Sequence, residues 1–396
     1  MLPFIDLSSQ FKRIQSEVEE RVIAVLRNSQ YIEGPEVSEF EDKLAEFTKV
    51  KHAIACSSGT DALIIALMAK GVGPGDAIFT TPFTYFATAE AIAFLGATPI
   101  FVDIDISTFN IDPSALKSAI LALKNCNTSN NSLPRWPIDK LRILKPKGII
   151  TVDLFGLPAD HDLINPIAAD HDLFVIEDAA QGFGGSVDGH QAGALAEVGC
   201  TSFFPAKPLG CYGDGGALFT NDDSLASLFR SIRVHGRSEH KYENVRLGMT
   251  GRLDTLQAAI LISKLSIFPD ELNSRQRVAE TYERLISSSK LDIVTPKVPD
   301  GYFSSWAQYS ILASDKEERQ RLLDKLKVAK VPTMIYYSKP LHLQKAFTNL
   351  GYIMGDFPVS EQVSERIFSL PMHPYLDENT ICNIVEAMGA KVNGFV

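Results

Sequence analysis

Apolar residues along the chain follow two different spacings, and each spacing predicts a different element. Residues 10–28 and 36–47 have apolar side chains at helical spacing, so we expect two amphipathic helices near the N-terminus. Further along, short apolar runs alternate with helix-like stretches. The runs predict buried strands at 52–56, 77–80, 98–102, 148–152 and 173–176, and the stretches between them predict helices that include 57–71, 89–95 and 162–169. This alternation predicts an α/β fold with a mainly parallel sheet that has helices on both faces.

The alternating pattern is interrupted in two places. Residues 124–146 are polar and contain three prolines, which predicts a surface insertion that is partly ordered by Trp136 and Leu141. Around residues 262–270 the alternation stops, and a long polar helix is followed by short strands and helices. We therefore expect an N-terminal segment and a large α/β domain over 1–262, and a small α+β domain over 263–396.

The charge and cysteine content narrow the class of protein. The 396 residues include 38 Lys and Arg and 48 Asp and Glu, a net charge of −10, with no run of basic residues. Nucleic acid and membranes are therefore not expected as partners, although a local basic pocket is compatible with a small anionic substrate. The five cysteines are scattered and form no C-x-x-C, which argues against disulfides and a zinc site. Because no signal-peptide core and no membrane-length apolar run is seen, we expect a cytoplasmic protein.

A candidate anion site lies at the start of the helix predicted over 57–71. Ser58, Gly59 and Thr60 stand at its N-terminus, where free backbone N–H groups and the helix dipole favour a phosphate. Gly59 allows close approach of the backbone, and the two hydroxyls add donors. An ordinary helix cap is the alternative interpretation.

A candidate buried carboxylate follows the apolar strand at 173–176. The sequence continues Glu177-Asp178-Ala179-Ala180-Gln181, which places Asp178 at the carboxyl edge of the sheet. Ligands of α/β sheets bind at that edge. Asp178 is therefore either a helix-capping residue or a carboxylate that keeps a cationic ring nitrogen protonated.

A candidate nucleophile is Lys207, which stands in the stretch SFFPAKPLGCYGDGG. The prolines at 205 and 208 restrict the backbone on both sides of it, and phenylalanines precede it. An amine held in an apolar site has a lowered pKa and attacks carbonyls. The glycines that follow do not form a G-x-G-x-x-G dinucleotide motif, because a strand rather than a helix is predicted after them. We interpret them as allowing close backbone passage beside a ligand.

These three candidate sites together fit pyridoxal 5′-phosphate: a phosphate cradle, a carboxylate for the ring nitrogen and an activated lysine. Two histidine-containing segments, 159–163 and 169–173, are compatible with a metal only if their side chains converge. The first is predicted to begin a helix and the second to precede a strand, so we expect no metal site.

Several motifs closely resemble the DegT/StrS family of nucleotide-sugar aminotransferases. They occur in the order GTDAL, TPFTYFATAEAI, VIEDAAQ, SFFPAKPLG, GDGGAL and GRLDTLQAAIL, and the resemblance runs from about Leu7 to the end. It implies the aspartate-aminotransferase architecture (fold type I), with a sheet of the seven-stranded type and a small C-terminal domain, and a homodimer with shared active sites.

The resemblance assigns roles to individual positions. Lys207 matches the lysine that binds the cofactor covalently, and Asp178 matches the partner of the ring nitrogen. The other cofactor-binding positions are Gln181 at the phenolic oxygen, Tyr85 stacked on the ring, and Gly59, Thr60 and Ser202 at the phosphate.

Two motifs depart from the family pattern. Thr250 stands where members usually have the Asn of G-x-N-x-R, which reaches the partner subunit's cofactor phosphate, and Tyr336 stands where similar enzymes have a His. We expect Arg252 to pair with a substrate carboxylate. We expect Tyr336 and Tyr31 to contact the substrate.

Within the family, the sequence looks most like enzymes of bacterial O-antigen synthesis. Those enzymes aminate the 3-keto group of UDP-2-acetamido-2-deoxy-3-oxo-glucuronate with L-glutamate as amino donor. A different 3-keto or 4-keto UDP- or dTDP-sugar is the alternative substrate. A same-fold sugar dehydratase has a His in place of Lys207, and a non-catalytic regulator needs a DNA-binding segment that we do not recognise here.

Overall fold

The structure is a computed structural model that describes residues 2–240 and 242–390. Its helices are α1 (Leu7–Asn28), α2 (Pro35–Thr48), α3 (Gly59–Ala69), α4 (Ala87–Phe94), α5 (Pro113–Lys124), α6 (Ile138–Arg142), α7 (His161–Asp170), α8 (Asp223–Arg233), α9 (Thr255–Ser287), α10 (Lys316–Val328), α11 (Pro358–Arg366) and α12 (Glu378–Ala387). Its strands are β1 (His52–Cys56), β2 (Asp76–Thr80), β3 (Thr98–Phe101), β4 (Lys145–Val152), β5 (Phe174–Asp178), β6 (Ser186–Val187), β7 (His190–Gln191), β8 (Val198–Ser202), β9 (Gly216–Thr220), β10 (Ile293–Val294), β11 (Tyr302–Phe303), β12 (Tyr309–Ala313) and β13 (Ile367–Leu370).

A seven-stranded sheet with the order β1-β9-β8-β5-β4-β2-β3 forms the centre of the chain. β9 pairs antiparallel with both of its neighbours, and the other strands all run in one direction. The carboxyl ends of β1, β2, β5 and β8 therefore lie at one edge of the sheet. This arrangement confirms the predicted α/β fold with a mainly parallel sheet.

Helices cover both faces of this sheet because its strands are apolar on both sides. On one face α3 packs with six consecutive buried residues, from Ala62 to Leu67, in a cluster that includes Ile54 and Leu218. On the opposite face, Phe40 of α2 and Phe268 of α9 belong to a second cluster. The first helix begins at Leu7 rather than at residue 10, because the carboxylate of Asp6 caps it by accepting from the N–H of Ser9 at 2.9 Å.

One long helix, α9, contributes to two cores. Its first half supplies Ala258 and Leu261 to the cluster under the large sheet, and its second half supplies Tyr282 and Leu285 to a cluster around the three-stranded sheet β10-β12-β13. The predicted division between 262 and 263 falls inside this helix. The domain division itself stays a prediction.

The polar insertion at 124–146 is anchored at its centre. Leu141, in the short helix α6, is 1% exposed, and the indole N–H of Trp136 donates to the carbonyl of Asn349 at 2.7 Å. Arg135 also pairs with Asp356, at 2.5 Å. The expected ordering by Trp136 and Leu141 is confirmed, and the anchor points lie in the C-terminal part of the chain. Among the helices of residues 2–240 and 242–390, none combines the length and apolarity that a membrane crossing requires.

Candidate active site

A cavity of about 640 Å³ opens at the carboxyl edge of the large sheet. It is the point at which an open α/β sheet binds its ligands. Eight of the predicted site residues line it: Gly59, Thr60, Tyr85, Asp178, Gln181, Ser202, Lys207 and Tyr336. Residues separated by nearly three hundred positions in the chain thus converge on one cavity.

Three predicted residues, Thr250, Arg252 and Tyr31, do not line the cavity of the single chain. A guanidinium N–H of Arg252 donates to the hydroxyl of Thr250 at 2.7 Å. The backbone between them passes the start of α3, where the N–H of Ser57 donates to the carbonyl of Gly251 at 3.0 Å. Tyr31 is 47% exposed, and its carbonyl accepts from the N–H of Thr255. Their expected roles stay predictions.

The start of α3 forms the floor of a cradle that is closed by β8. The hydroxyl of Ser58 caps the helix by accepting from the N–H of Asp61 at 3.0 Å. A Cβ atom at Gly59 would lie 2.6 Å from Cβ of Ser202, so only glycine allows this approach. The N–H groups of Gly59 and Thr60, which precede this capped N–H, have no intrahelical acceptor and can bind an anion. The cradle therefore fits a phosphate that is held between backbone N–H groups and the hydroxyls of Thr60 and Ser202.

Asp178 is the last residue of β5 and is buried, with 6% of the residue exposed. The hydroxyl of Thr88 donates to Oδ2 at 2.8 Å, and the N–H of Ala180 donates to Oδ1 at 3.2 Å. Burial raises the pKa of Asp178, while the hydrogen bond from Thr88 and the charge of Lys207 oppose that increase. A buried carboxylate of this kind is stabilised by a cation, which is what a protonated ring nitrogen supplies.

Lys207 lies on the loop between β8, which ends at Ser202, and β9, which begins at Gly216. Its backbone N–H donates to the carbonyl of Phe204 at 2.8 Å, and Cys211 donates back to the carbonyl of Phe203 at 2.8 Å. Burial lowers the pKa of Lys207, and the negative charge of Asp178 raises it in part. A lowered pKa increases the neutral, nucleophilic fraction of the amine.

The glycines after Lys207 allow close contacts with neighbouring backbone, whereas their expected passage beside a ligand stays a prediction. A Cβ atom at Gly216 would lie 2.4 Å from the carbonyl oxygen of Ser58, and one at Gly210 would lie 2.6 Å from that of Phe204. The buried amine of Lys264 on α9 donates to the carbonyl of Gly210 at 2.5 Å. The loop that carries Lys207 is thus held from both sides.

Gln181 is oriented by a chain of hydrogen bonds. Its Oε1 accepts from the N–H of Phe155 at 3.0 Å, which leaves Nε2 to donate to the hydroxyl of Tyr337 at 3.3 Å. Burial raises the pKa of Tyr337, so its hydroxyl stays protonated and can donate in turn. Tyr337 and Gln308 line the cavity from the C-terminal part of the chain.

Sequence reasoning did not identify Thr88, Tyr337 or Gln308. Thr88 falls within a quoted motif, and its polar side chain four residues after Thr84 in an apolar stretch is a local signal that something buried needs a donor. Tyr337 and Gln308 offer no such signal, because their partners are remote in the chain.

Comparison with known proteins identifies the family. The model of the DegT/DnrJ/EryC1/StrS aminotransferase family matches residues 12–389. The chain belongs to this family. It is therefore a pyridoxal phosphate-dependent aminotransferase of the nucleotide-sugar class, with fold type I architecture, as predicted.

Relatives match over nearly the whole chain. The chain is 46% identical to UDP-2-acetamido-2-deoxy-3-oxo-D-glucuronate aminotransferase of Pseudomonas aeruginosa, covering 98% of this chain and 99% of that protein. It is 43% identical to a protein of Geobacillus stearothermophilus named pleiotropic regulatory protein, covering 97% of each.

Solved structures agree with the fold. A DegT/DnrJ/EryC1/StrS aminotransferase from Brucella abortus superposes with a TM-score of 0.91 at 46% identity, covering 98% of this chain and 99% of that one. NtdA of Bacillus subtilis, solved with its bound cofactor PMP, has a TM-score of 0.83 at 27% identity, covering 98% of this chain and 82% of that one.

Proposed function

We propose that the protein transfers the amino group of L-glutamate to the 3-keto group of UDP-2-acetamido-2-deoxy-3-oxo-glucuronate. The product would be the 3-amino sugar used for a bacterial surface polysaccharide. The observation that carries this substrate is the 46% identity, over nearly the full length of both chains, with an enzyme named for it.

The cofactor, when bound, supplies a cationic ring that stabilises negative charge on the substrate carbon next to nitrogen. Lys207 is proposed to hold the cofactor and then to move the proton from the α-carbon of the amino donor through its amine Nζ. Asp178 keeps the ring nitrogen protonated. The N-terminus of α3, with Gly59 and Thr60, binds the phosphate.

The remaining predicted residues complete the pocket. Ser202 adds a hydroxyl at the phosphate, Tyr85 covers one face of the ring, and Gln181 donates to its phenolic oxygen. Tyr336 is proposed to contact the sugar, since it lines the cavity from the C-terminal part of the chain.

We also propose a homodimer with shared active sites. Tyr85 and Phe204 line the cavity but are 59% and 52% exposed, which leaves large apolar surface at its mouth. Thr250 and Arg252 lie outside the cavity of their own chain and are proposed to reach the partner's. The guanidinium Nε of Arg252 is buried and has no hydrogen-bond partner among the described residues.

The dimer proposal has a direct test in mixed oligomers. Light scattering should give twice the chain mass, and co-expressed Lys207→Ala and Arg252→Ala chains should regain part of the activity that each variant lacks alone. A monomer that is fully active would refute shared sites.

We propose the cytoplasm as the place of action, because all five cysteines are free thiols.

The substrate proposal is tested by incubating the holoenzyme and glutamate with UDP- and dTDP-linked 3-keto and 4-keto sugars. We expect amination of the UDP-linked 3-keto uronate, seen as product mass and an equal amount of 2-oxoglutarate, and none with Lys207→Ala. Reaction with a 4-keto sugar alone would refute the substrate but not the reaction class.

A regulatory role is the second candidate, since one relative at 43% identity is named as a regulatory protein. It is distinguished by a gel-shift assay against genomic fragments. A specific DNA complex together with no turnover of any keto sugar would favour this second role.

A further inference from the structure

Three buried titratable residues lie directly behind Asp178. Asp153, His161 and Glu177 each offer an atom within 4.8 Å of the others, and their exposures are 0%, 4% and 0%. Glu177 precedes Asp178 on β5, so its side chain points to the opposite face of the sheet. The N–H of Asp153 donates to the carbonyl of Asp178 at 3.1 Å. Asp153 therefore contacts the strand end that carries Asp178 through its backbone.

Glu177 has the hydrogen bonds of an ionised carboxylate. Its Oε1 accepts from the N–H of Gly193 at 2.6 Å, and its Oε2 accepts from the N–H of Leu195 at 2.9 Å. Short bonds from backbone donors to both oxygens stabilise the negative charge.

One carboxylate oxygen of Asp153 has no hydrogen-bond donor among the described residues. Oδ1 accepts from the N–H of Ala159 at 3.0 Å, whereas Oδ2 is buried and accepts from no described residue. Gly182 closes over that oxygen, since a Cβ atom at position 182 would lie 2.4 Å from Oδ2. An ionised oxygen left dry and unpaired beside a second carboxylate is strongly unfavourable. Burial and then the charge of Glu177 raise the pKa of Asp153 well above its usual value.

We propose that Asp153 is a neutral carboxylic acid that donates its Oδ2 proton to Glu177, so that the pair carries one negative charge and Asp178 remains the ionised carboxylate that faces the cavity. The final clause rests on the role proposed for Asp178. Asp153 thus acts as a positioning residue: it fixes the strand end through its backbone and removes one like charge from behind the pocket.

The surroundings of the trio favour a shared proton over a bound cation. Both oxygens of Glu177 already accept backbone N–H groups, which would compete with a metal. Burial lowers the pKa of His161, which keeps it neutral, and its Nε2 lies 3.4 Å from the hydroxyl of Thr151. The other titratable groups whose charges act on the trio are Asp178, Asp160, Asp162 and, from the small antiparallel sheet, Tyr302.

Two substitutions that preserve the size of the side chain test whether Asp153 carries the shared proton. Asp153→Asn replaces the acid O–H by an amide N–H that still donates to Glu177, so we expect the Tm to change by less than about 3 °C. Glu177→Gln turns an NH₂ group toward Gly193 or Leu195, and we expect the Tm to fall by about 5 °C or more. An equal loss in both variants would overturn the proposal.

Infrared spectroscopy of the cofactor-free protein detects a protonated carboxylic acid directly. We expect a carbonyl band of a protonated carboxylic acid at neutral pH that shifts in D₂O and is missing from Asp153→Asn. No such band in the unmodified protein, or a stoichiometric metal ion that Asp153→Asn releases, would overturn the proposal.

A third measurement separates the trio from the role of Asp178. With ¹⁵N-labelled cofactor, Asp153→Asn should keep the ring-nitrogen signal of the unmodified holoenzyme, whereas Asp178→Asn should shift it. If Asp178→Asn leaves the signal unchanged, the role of Asp178 fails while the infrared result still decides the shared proton. If Asp153→Asn shifts the ring-nitrogen signal, the proposal that the shared proton leaves Asp178 ionised is wrong.

Discussion

The hydroxyl of Thr88 donates a 2.8 Å hydrogen bond to Oδ2 of Asp178, and both side chains are buried. The same hydroxyl lies 3.2 Å from that of Thr84, one turn earlier in the chain. This pair orients the hydroxyl of Thr88 toward the carboxylate. The cofactor's proposed ring partner is therefore held by a residue of α4 as well as by its own strand.

Replacing Thr88 should weaken the cofactor site. Thr88→Val keeps the shape of the side chain but removes the donor, and a hydrogen bond to a charged group is worth about 1.5–3 kcal/mol. We expect the dissociation constant for pyridoxal phosphate to rise about 10- to 100-fold by absorbance titration. Thr88→Ser is the control and should stay near the unmodified value. Equal affinity in the Val and Ser variants would show that the hydrogen bond does not matter.

Adding a methyl group at Gly59 should open the phosphate cradle. Gly59→Ala places Cβ against Ser202, so we expect cofactor affinity to fall at least about 10-fold. Ser202→Gly removes the clashing atom, and Gly59→Ala/Ser202→Gly should bind no worse than Ser202→Gly alone. This non-additivity is the signature of a shared contact. Losses that simply add would assign the effect of Gly59 to some other cause.

Removing the hydroxyl of Tyr337 should change how Gln181 interacts with the cofactor. Tyr337→Phe leaves Nε2 of Gln181 without its acceptor, which costs about 1 kcal/mol. Because Gln181 is expected at the cofactor's phenolic oxygen, the visible spectrum of the bound cofactor should change and kcat should fall about 3- to 10-fold. Tyr336→Phe serves as the control and should leave that spectrum unchanged while altering KM for the sugar. If instead Tyr336→Phe changed the spectrum and Tyr337→Phe altered KM for the sugar, the roles assigned to the two tyrosines would have to be exchanged.

The stability of the fold should depend on His373 at acidic pH. Burial first, and then the charge of Arg275, lower the pKa of His373 to about 4, although Asp6 opposes the shift. The unfolded chain takes up this proton near pH 6.5 and the folded chain only near pH 4. The stabilising contribution is thus complete above pH 6.5 and is lost as the pH falls through this window, by roughly 3 kcal/mol.

Denaturant titrations between pH 7 and pH 4 measure this effect. The free energy of unfolding of the unmodified protein should fall relative to that of His373→Phe, which keeps a ring but cannot titrate. A constant difference between His373→Phe and the unmodified protein would contradict the buried, neutral histidine.

The sheet and most of the residues that line the candidate cavity were predictable because their signals are local. An apolar run that ends in a polar residue marks the edge of a buried strand, and Asp178 and Ser202 are indeed the last residues of β5 and β8. Cradle residues such as Gly59 stand at a helix start that the sequence marks with its cap. Tyr337 was missed because its partner Gln181 is 156 residues away, and no local pattern records that contact.

The continuity of α9 was missed for a different physical reason. Sequence patterns equate polar with exposed, yet Lys264, Glu271 and Arg275 are all buried on this helix. Each of them has a remote hydrogen-bond partner: the carbonyl of Gly210, the amide of Gln10 and the carbonyl of Trp306. A buried polar face therefore looked like the start of a new, exposed segment.

The unbroken course of α9 has a consequence for how substrate binding is used. Because this 33-residue helix contributes to both cores, the two parts of the chain on either side of it are joined by a continuous helix rather than by a loop. A pocket whose walls already have their binding arrangement loses little conformational entropy when the sugar binds. The binding energy can then discriminate among closely related sugars. The few side chains that line the cavity determine that discrimination.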